Sequence, residues 1–188
     1  MNEMNIFVKL TKLKKMEDKV NSKNIILNYG LYLGIVGVII HLILYATGSL
    51  LEYQWINSLV SFVAMIALIV IGIKTFKEAN GGFISWGQGV KIGLGITMIS
   101  AVITVVYTLL FMNVIDPSFQ EQAMAIEQQK WLDSGMTEEQ IESANAIAEK
   151  FQSPAIISAM ILAFSAFLGF IVSAIAAAIM KKDEQEAY

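Results

Sequence analysis

The sequence predicts an all-α integral membrane protein, a four-helix bundle with an extramembrane helical hairpin between helices 3 and 4. The chain has 188 residues, 56% of them hydrophobic, and its uncharged apolar runs cover residues 24–51, 53–73, 92–115 and 151–180. About 20 apolar residues in helical form span the hydrocarbon of a bilayer. A chain of this size has no interior that could bury four such runs in water. In lipid each backbone amide must be bonded within its own segment, so the runs are predicted to be helices.

Charge is divided unequally between the two sides of the predicted membrane. Eleven of the thirteen lysines lie in the N-terminal arm, in the connection between crossings two and three, and in the tail, and this side has a net charge of +4. The opposite side has a net charge of −7. Because lysine-rich short loops stay in the cytoplasm, both termini are predicted to be cytoplasmic.

Several kinds of chemistry are excluded by residue types that the chain lacks. There is no cysteine, so disulfides, thiolate metal sites and cysteine nucleophiles are excluded. There is also no arginine, the side chain best suited to clamping phosphate, and a role with nucleic acid is not expected. No nucleophile with a base, no metal-ligand spacing and no phosphate loop is visible, so we predict no catalytic residues, no metal and no cofactor.

The chain begins with a basic arm, residues 1–23, in which apolar residues recur at three- and four-residue steps among six lysines. This pattern fits either an interfacial amphipathic helix or a solvated tail. The four-helix domain is predicted over residues 24–182, and crossing one over residues 25–51. The first apolar run is far longer than a signal-peptide core of 7 to 15 residues, so we expect it to be retained.

Crossing two is predicted over residues 54–76, after a very short hairpin that makes it an antiparallel neighbour of crossing one. Asn80-Gly81-Gly82 is the strongest turn signal of the chain, because Asn and Gly tolerate positive φ. Ser85 and Gln88 fit a capping box, which places crossing three over residues 86–115. The glycines that follow leave open a re-entrant loop over residues 83–90, although close helix packing is the favoured interpretation.

The acidic segment 116–152 is predicted to be a helical hairpin outside the membrane. Ser118 and Glu121 suggest a capping box at the start of its first helix, and Gly135 suggests the cap at its end. Thr137 begins the second helix. The apolar stripes expected to face each other are Phe119, Ala123, Ile126 and Trp131 on the first helix and Ile141, Ala144, Ala148 and Phe151 on the second.

Crossing four is predicted over residues 154–180, and residues 183–188 form a cytoplasmic tail. Small residues recur on two of the crossings, where they let helix backbones approach closely. These helix-packing candidates are Gly30 and Gly34 in crossing one and Ser165, Gly169, Ser173 and Ala177 in crossing four. They can hold the bundle together or form a dimer, and the internal role is favoured.

His41 is the sole histidine and lies deep within crossing one. An ionisable group within a membrane is a functional candidate by default, as a proton relay, ligand contact or pH switch. No Asp, Glu or Lys lies in the uncharged apolar runs of the other crossings to act as its partner. The favoured interpretation is therefore a neutral imidazole hydrogen-bonded to a hydroxyl such as Thr104, Thr108 or Ser61.

Several segments of the chain resemble a known family. The resemblance is carried by residues 77–88, 91–93 and 111–119, and its most specific pieces are Asn80-Gly81-Gly82 and Ile115-Asp116-Pro117. Over residues 25–182 the chain is similar to a membrane family frequent in the Bacteroidota and catalogued as domain of unknown function four-one-nine-nine. The resemblance implies four crossings, an acidic helical insertion before the last, and the bacterial cytoplasmic (inner) membrane. It implies no activity.

The sequence favours a non-catalytic accessory or scaffold subunit of an envelope complex. The expected partners are the lipid bilayer and a membrane or periplasmic protein or a second copy of the chain. The alternative is a small transporter or channel for a lipid or small solute. It would use His41, the glycine-rich start of crossing three and inward polar residues, namely Ser61, Gln88, Ser100, Thr104 and Asn113. A water-accessible cavity that joins these residues would favour the alternative.

Overall fold

Six α-helices and one π-helical segment make up the part of the chain that the computed structural model describes, residues 21–182. In chain order they are α1 Ser22–Ala46, α2 Gln54–Ala79, α3 Trp86–Leu110, the π-helix Phe111–Ile115, α4 Phe119–Asp133, α5 Glu138–Phe151 and α6 Pro154–Met180. Four of these helices, α1, α2, α3 with its π-helical extension, and α6, are long and apolar enough to cross a membrane. This confirms the predicted all-α class with four candidate membrane spans. The first twenty residues of the predicted arm and the predicted tail lie outside the described residues.

The first crossing is shorter than the predicted range 25–51. α1 ends at Ala46, and Gly48 adopts a φ of +69°, which L side chains rarely tolerate. The amide of Gly48 donates to the carbonyl of Tyr45, and the next amide, that of Ser49, donates to Leu44. This pair of bonds is a Schellman cap, which ends the helix even though apolar residues continue beyond it.

The connection between α2 and α3 forms as predicted from its turn and capping signals. Gly81 and Gly82 both have positive φ, and the amide of Gly82 donates to the carbonyl of Lys77 over 2.8 Å. At the start of α3, Ser85 and Gln88 form the predicted capping box, in which each side chain bonds the other's backbone amide. Regular helix follows at once, so the re-entrant loop considered for residues 83–90 does not form. α2 extends one turn beyond its predicted end, to Ala79.

The junction between α3 and α4 differs from the prediction. The chain passes through a π-helix, in which the amide of Asp116 donates to the carbonyl of Phe111 over 2.9 Å. The predicted capping box of Ser118 and Glu121 is wrong. Ser118 instead donates its hydroxyl to the Asp116 carboxylate over 2.7 Å, and α4 begins one residue later without a side-chain cap. The Asp116 carboxylate therefore engages the Ser118 hydroxyl that was predicted to cap the helix.

α4 and α5 form an antiparallel pair joined by a tight turn. Gly135 has a φ of +82° and caps α4, and Thr137 forms a capping box with Gln140 at the start of α5. A hydrogen bond of 2.9 Å from the Gln128 amide to Asn145 links the two helices. Neither helix contains a buried residue. Below, the hairpin means α4 and α5 with this turn.

α3 lies at the centre of the bundle and packs against α1, α2 and α6. The core includes Leu33 of α1, Ile69 and Ile73 of α2, and Ile92 and Ile96 of α3, all buried. These residues lie in the half of the bundle nearer the turn between α2 and α3. We call this end of the bundle the lysine end, because it carries Lys23, Lys74, Lys77, Lys91, Lys181 and Lys182. The opposite end is called the hairpin end.

The lysine end is closed by bonds between distant parts of the chain. Ile84 and Lys182 exchange two backbone hydrogen bonds of 3.0 and 2.9 Å, which tie the end of α6 to the segment before α3. The ammonium of Lys77 donates to the carbonyl of Met180 over 2.8 Å. A lysine at this position satisfies a helix-terminal carbonyl and complements the helix dipole.

Candidate functional site

The hairpin half of the bundle contains a partly open cavity of about 740 Å³. We call it the bundle cavity. All four long helices contribute to its lining, which comprises Leu33, Gly37, Val38, His41, Trp55, Asn57, Ser58, Leu59, Ser61, Phe62, Met65, Thr97, Ser100, Thr104, Tyr107, Thr108, Ser165 and Leu168. Its volume is typical of small-molecule sites, and the isoleucine core closes it toward the lysine end.

One wall of the bundle cavity is a stripe of hydroxyl groups on α3. Thr97, Ser100, Thr104 and Thr108 recur at steps of three and four residues, so they lie on one face of the helix. The Thr97 hydroxyl donates to the carbonyl of Leu94 over 2.9 Å, and that of Thr104 donates to Ser100 over 3.0 Å. Since its hydrogen is used within the helix, the Thr104 oxygen can present an acceptor lone pair to the cavity, whereas the Thr97 hydroxyl is buried against Gly169 of α6.

Asn57 adds a further acceptor on the α2 side. It lines the bundle cavity, and its Oδ1 is the one buried side-chain oxygen or nitrogen without a hydrogen-bond partner in the part of the chain described. An unpaired buried polar atom costs about 1–3 kcal/mol. A ligand that brings an O–H or N–H donor to this wall would remove that cost.

His41 faces the bundle cavity and bonds to Tyr107, not to the hydroxyls of Thr104, Thr108 or Ser61 that the sequence suggested. Its Nδ1 lies 2.7 Å from the Tyr107 hydroxyl. Its ring also meets Phe111 edge-on, with centroids 4.8 Å apart. The sequence analysis missed Tyr107 as a partner because it considered only short hydroxyl side chains. The spacing of Tyr107 from Thr104 places both side chains on one face of α3.

The aromatic cluster around His41 is built on the π-helix. Phe111 is 3% exposed, and its ring contacts Tyr45 and Phe119 at centroid distances of 5.0 and 5.3 Å. Within the π-helix, Asn113 donates its side-chain amide to the carbonyl of Leu109 over 2.7 Å. π-helical segments inside α-helices are frequent at functional sites.

A second cavity of about 420 Å³ lies between the hairpin and the bundle. We call it the hairpin cavity. It shares His41, Tyr107 and Thr108 with the bundle cavity, so the two adjoin along α3. Its other lining residues are Phe111, Met112, Phe119, Gln120, Ala123, Met124, Glu127, Trp131, Ala148 and Gln152. Of the stripes predicted to face each other, Phe119, Ala123, Trp131 and Ala148 line this cavity, whereas Ile126 and Phe151 are exposed.

The small residues predicted for helix packing lie largely at contacts inside the bundle. A Cβ on Gly30 would lie 2.6 Å from Cβ of Ile99, and a Cβ on Gly34 would lie 2.7 Å from Cδ1 of Ile103. Gly30 and Gly34 therefore bring α1 close to α3.

The small residues of α6 pack against α3 in the same way. Gly169 contacts Thr97, Ser173 contacts Gly93, and Ala177 contacts Gly89, so these small side chains form a close contact between the two helices. Ser165 is the exception, because it lines the bundle cavity.

Of the inward polar residues that the transporter hypothesis named, the structure brings Ser61, Ser100 and Thr104 together in the bundle cavity. Gln88 instead belongs to the cap of α3, and Asn113 bonds within its own helix. Over residues 21–182, no group of three His, Cys, Asp or Glu side chains is arranged to hold a metal ion.

The fold and the cavities define a class: a membrane-embedded, multi-pass helical protein with adjoining cavities at one end of its bundle. Within that class, the chain belongs to the family described as Protein of unknown function (DUF4199), which matches residues 28–182. No curated protein and no solved structure is significantly similar to the chain.

Proposed function

We propose that this protein binds a small amphiphilic molecule in the bundle cavity and serves as a transporter or channel for a lipid or small solute. The observation that carries the proposal is a cavity of about 740 Å³ with a hydroxyl stripe along one wall. It joins three of the five polar residues that the sequence analysis assigned to such a role. A cavity open toward one end and closed by a dry core at the other fits one state of an alternating-access cycle.

The chemistry of the lining indicates the class of ligand. Leu33, Phe62 and Leu168 give it apolar surface, and the described lining residues include no Asp, Glu or Lys. A net charge in this cavity would be desolvated without compensation. The part of the ligand bound here should therefore be neutral and largely apolar, and a hydrogen-bond donor on it would find acceptors at Asn57 and on α3.

The α2 wall supports access from the bilayer. Trp55, Leu59 and Phe62 line the bundle cavity, and each is also among the exposed large apolar side chains. Side chains that belong to both surfaces form a thin or open wall. A lipid-soluble molecule could enter there without crossing water.

An accessory or scaffold role is the second candidate, and the hairpin supports it. With Gly30, Gly34, Gly169, Ser173 and Ala177 engaged within the bundle, those small residues no longer supply a face for a partner or for dimerisation. The hairpin still presents an acidic, fully unburied surface that a membrane or periplasmic protein could bind. Consistent recovery of one such protein in mild detergent would favour this role.

A non-catalytic protein in the bacterial cytoplasmic membrane, with both termini in the cytoplasm and the hairpin outside, is part of the proposal. The lysine bias supports this orientation. The chain has no cysteine, so single cysteines introduced at Glu139 and at Lys182 would report it with an impermeant maleimide. Labelling of intact cells is expected at position 139 alone. Labelling at position 182 alone would reverse the orientation.

Photolabelling tests the ligand site. The probe is a diazirine-bearing decanol, and the protein is held in nanodiscs of phosphatidylglycerol. Adducts are expected on the cavity-lining residues of α2 and α3, such as Ser61, Met65, Ser100 and Thr104. Equal labelling of lipid-facing positions such as Val102 and Val106 would contradict a specific site.

Gly37→Leu provides the matched test of volume. Gly37 lines the bundle cavity, and a Cβ there meets nothing within 4 Å, so the new side chain fills the cavity without a clash. The labelling should fall at least about fivefold, the effect of roughly 1 kcal/mol of overpacking against the ligand. Gly87→Leu is the control, because Gly87 is also helical and open but lies outside the cavity at the lysine end. Equal labelling of the two variants would refute the proposal.

A further inference from the structure

The hairpin cavity continues the bundle cavity beyond the His41–Tyr107 pair. Both cavities share that pair and Thr108, so one ligand could pass along α3 from one to the other. From Thr97 to Phe111 the distance along the helix axis is about 21 Å, by the rise per residue of an α-helix. An amphiphile of moderate length could therefore place its tail in the bundle cavity and its headgroup under the hairpin.

The hairpin cavity differs in chemistry from the bundle cavity. Tyr107, Phe119 and Trp131 line it with aromatic rings, whose negative faces attract an ammonium group. Glu127 brings a carboxylate to the same lining, and no lysine belongs to the described lining. Aromatic rings combined with a carboxylate are suited to bind a cation and unsuited to bind a phosphate or sulfate alone.

The charge of the hairpin segment acts in the same direction. Residues 116–152 hold eight acids and two lysines, a net charge of −6. Such a field concentrates cations near this end of the bundle and repels anions. Glu127 pairs with Lys130 over 3.2 Å, but both side chains are about half exposed or more. An exposed pair of this kind is weak, so the carboxylate can exchange its partner for a bound cation.

We infer that the hairpin cavity is the headgroup subsite of the ligand bound in the bundle cavity, and that this headgroup is an ammonium group. The inference rests on the proposed function and adds the ligand class, an amphiphile with a neutral tail and a cationic nitrogen. Trp131 and Glu127 are the residues that recognise the nitrogen.

Competition against the diazirine-bearing decanol tests the inference. Three competitors separate head from tail: decanol, decyltrimethylammonium and tetramethylammonium. Decyltrimethylammonium should displace the label at a concentration at least about fivefold lower than decanol does, the gain that roughly 1 kcal/mol of cation–π attraction gives. Tetramethylammonium, which lacks the tail, should compete far more weakly than decyltrimethylammonium.

Variants of the hairpin then locate the effect. Trp131→Leu and Glu127→Gln should each remove most of the advantage of decyltrimethylammonium and leave competition by decanol unchanged. Trp131→Phe should keep most of it, because an aromatic face remains. Glu142→Gln is the matched control, since it makes the same charge change at an exposed position outside both cavities. Circular dichroism of each variant checks that the helices are retained.

The outcomes separate this inference from the proposed function. If decanol labels the bundle cavity but decyltrimethylammonium competes no better than decanol, the headgroup assignment is wrong and the bundle site stands. The assignment is equally wrong if Glu142→Gln weakens the advantage as much as Glu127→Gln. If decylphosphocholine competes as well as decyltrimethylammonium, the ammonium belongs to a zwitterionic lipid. If it competes poorly, the ligand is a cationic amphiphile.

Discussion

Three glycines of α1 lie on the inner side of one helix but have different surroundings, and this difference gives a test of the packing. A Cβ added to Gly37 meets no atom within 4 Å, whereas a Cβ on Gly34 would lie 2.7 Å from Cδ1 and 3.0 Å from Cβ of Ile103. On Gly30 it would lie 2.6 Å from Cβ of Ile99 and 3.0 Å from the carbonyl oxygen of Ile96. The same substitution, Gly→Ala, should therefore have opposite effects along one helix.

The magnitudes follow from two terms. Replacing a helical glycine by alanine stabilises the folded state by about 0.8–1.0 kcal/mol through the backbone. Overpacking a filled contact costs about 1–3 kcal/mol. Gly37→Ala has only the first term and should raise the free energy of unfolding by roughly 1 kcal/mol. Gly34→Ala should lower it by up to about 2 kcal/mol, and Gly30→Ala should lie at the destabilising end, because its clash involves a side-chain stem and the backbone.

The assay is reversible unfolding by sodium dodecyl sulfate from mild detergent micelles, followed by tryptophan fluorescence. Gly87→Ala is the control, since Gly87 is helical and open but lies outside the bundle cavity. It should be stabilised in the same direction as Gly37→Ala but by less, because Gly87 lies in the first turn of α3. The reasoning fails if Gly30→Ala is as stable as the parent chain, because α1 would then not lie against α3 as described. A loss of stability in Gly37→Ala would show that the bundle cavity is filled at that point.

Three further predictions concern caps and the intramembrane pair. Ser85→Ala removes the hydroxyl of a capping box and should cost about 1 kcal/mol of stability in the same assay, whereas Ser85→Asp should retain most of it. Gly135→Ala places a side chain at a φ of +82° and should cost about 1–2 kcal/mol locally, seen as faster hydrogen exchange in the hairpin with the core amides unchanged. Tyr107→Phe removes the hydroxyl that bonds His41 and should lower stability by about 1–3 kcal/mol, and a stability equal to that of the parent would mean that another group replaces it.

The parts of the fold that were predictable from the sequence are those fixed by local chemistry. The four spans follow from the length of apolar runs. The turn at Asn80-Gly81-Gly82 and the caps at Ser85 and Thr137 follow from residue types that satisfy helix ends. The end of α1 could also have been predicted, because a glycine such as Gly48 commonly caps the end of a helix. Leu50 and Leu51 obscured it by extending the apolar run beyond the helix.

The candidate site was less predictable, because it depends on which helices meet and how closely. In a membrane, apolar side chains face both lipid and interior, so hydrophobicity does not mark the inward face. Polar residues do mark it, and Ser61, Ser100 and Thr104 were identified as inward from that signal. The bond between His41 and Tyr107 joins residues 66 apart in the chain, and no spacing rule connects them.

The position of the bundle cavity has a physical cause in the sequence of α3. Its first half presents Gly89 and Gly93 to Ala177 and Ser173 of α6, and such small residues let the two backbones approach closely. Its second half carries Tyr107, and the π-helix beyond it carries Phe111. The separation of two helices increases with the size of the side chains at their contact. The glycines of α3 therefore close its contact with α6 at the lysine end, whereas the short side chains of Ser100, Thr104 and Thr108 leave space unfilled toward the hairpin end. The cavity is therefore a consequence of where α3 packs closely and where its side chains are short, and its hydroxyl lining gives this space a chemistry that lipid alone does not supply.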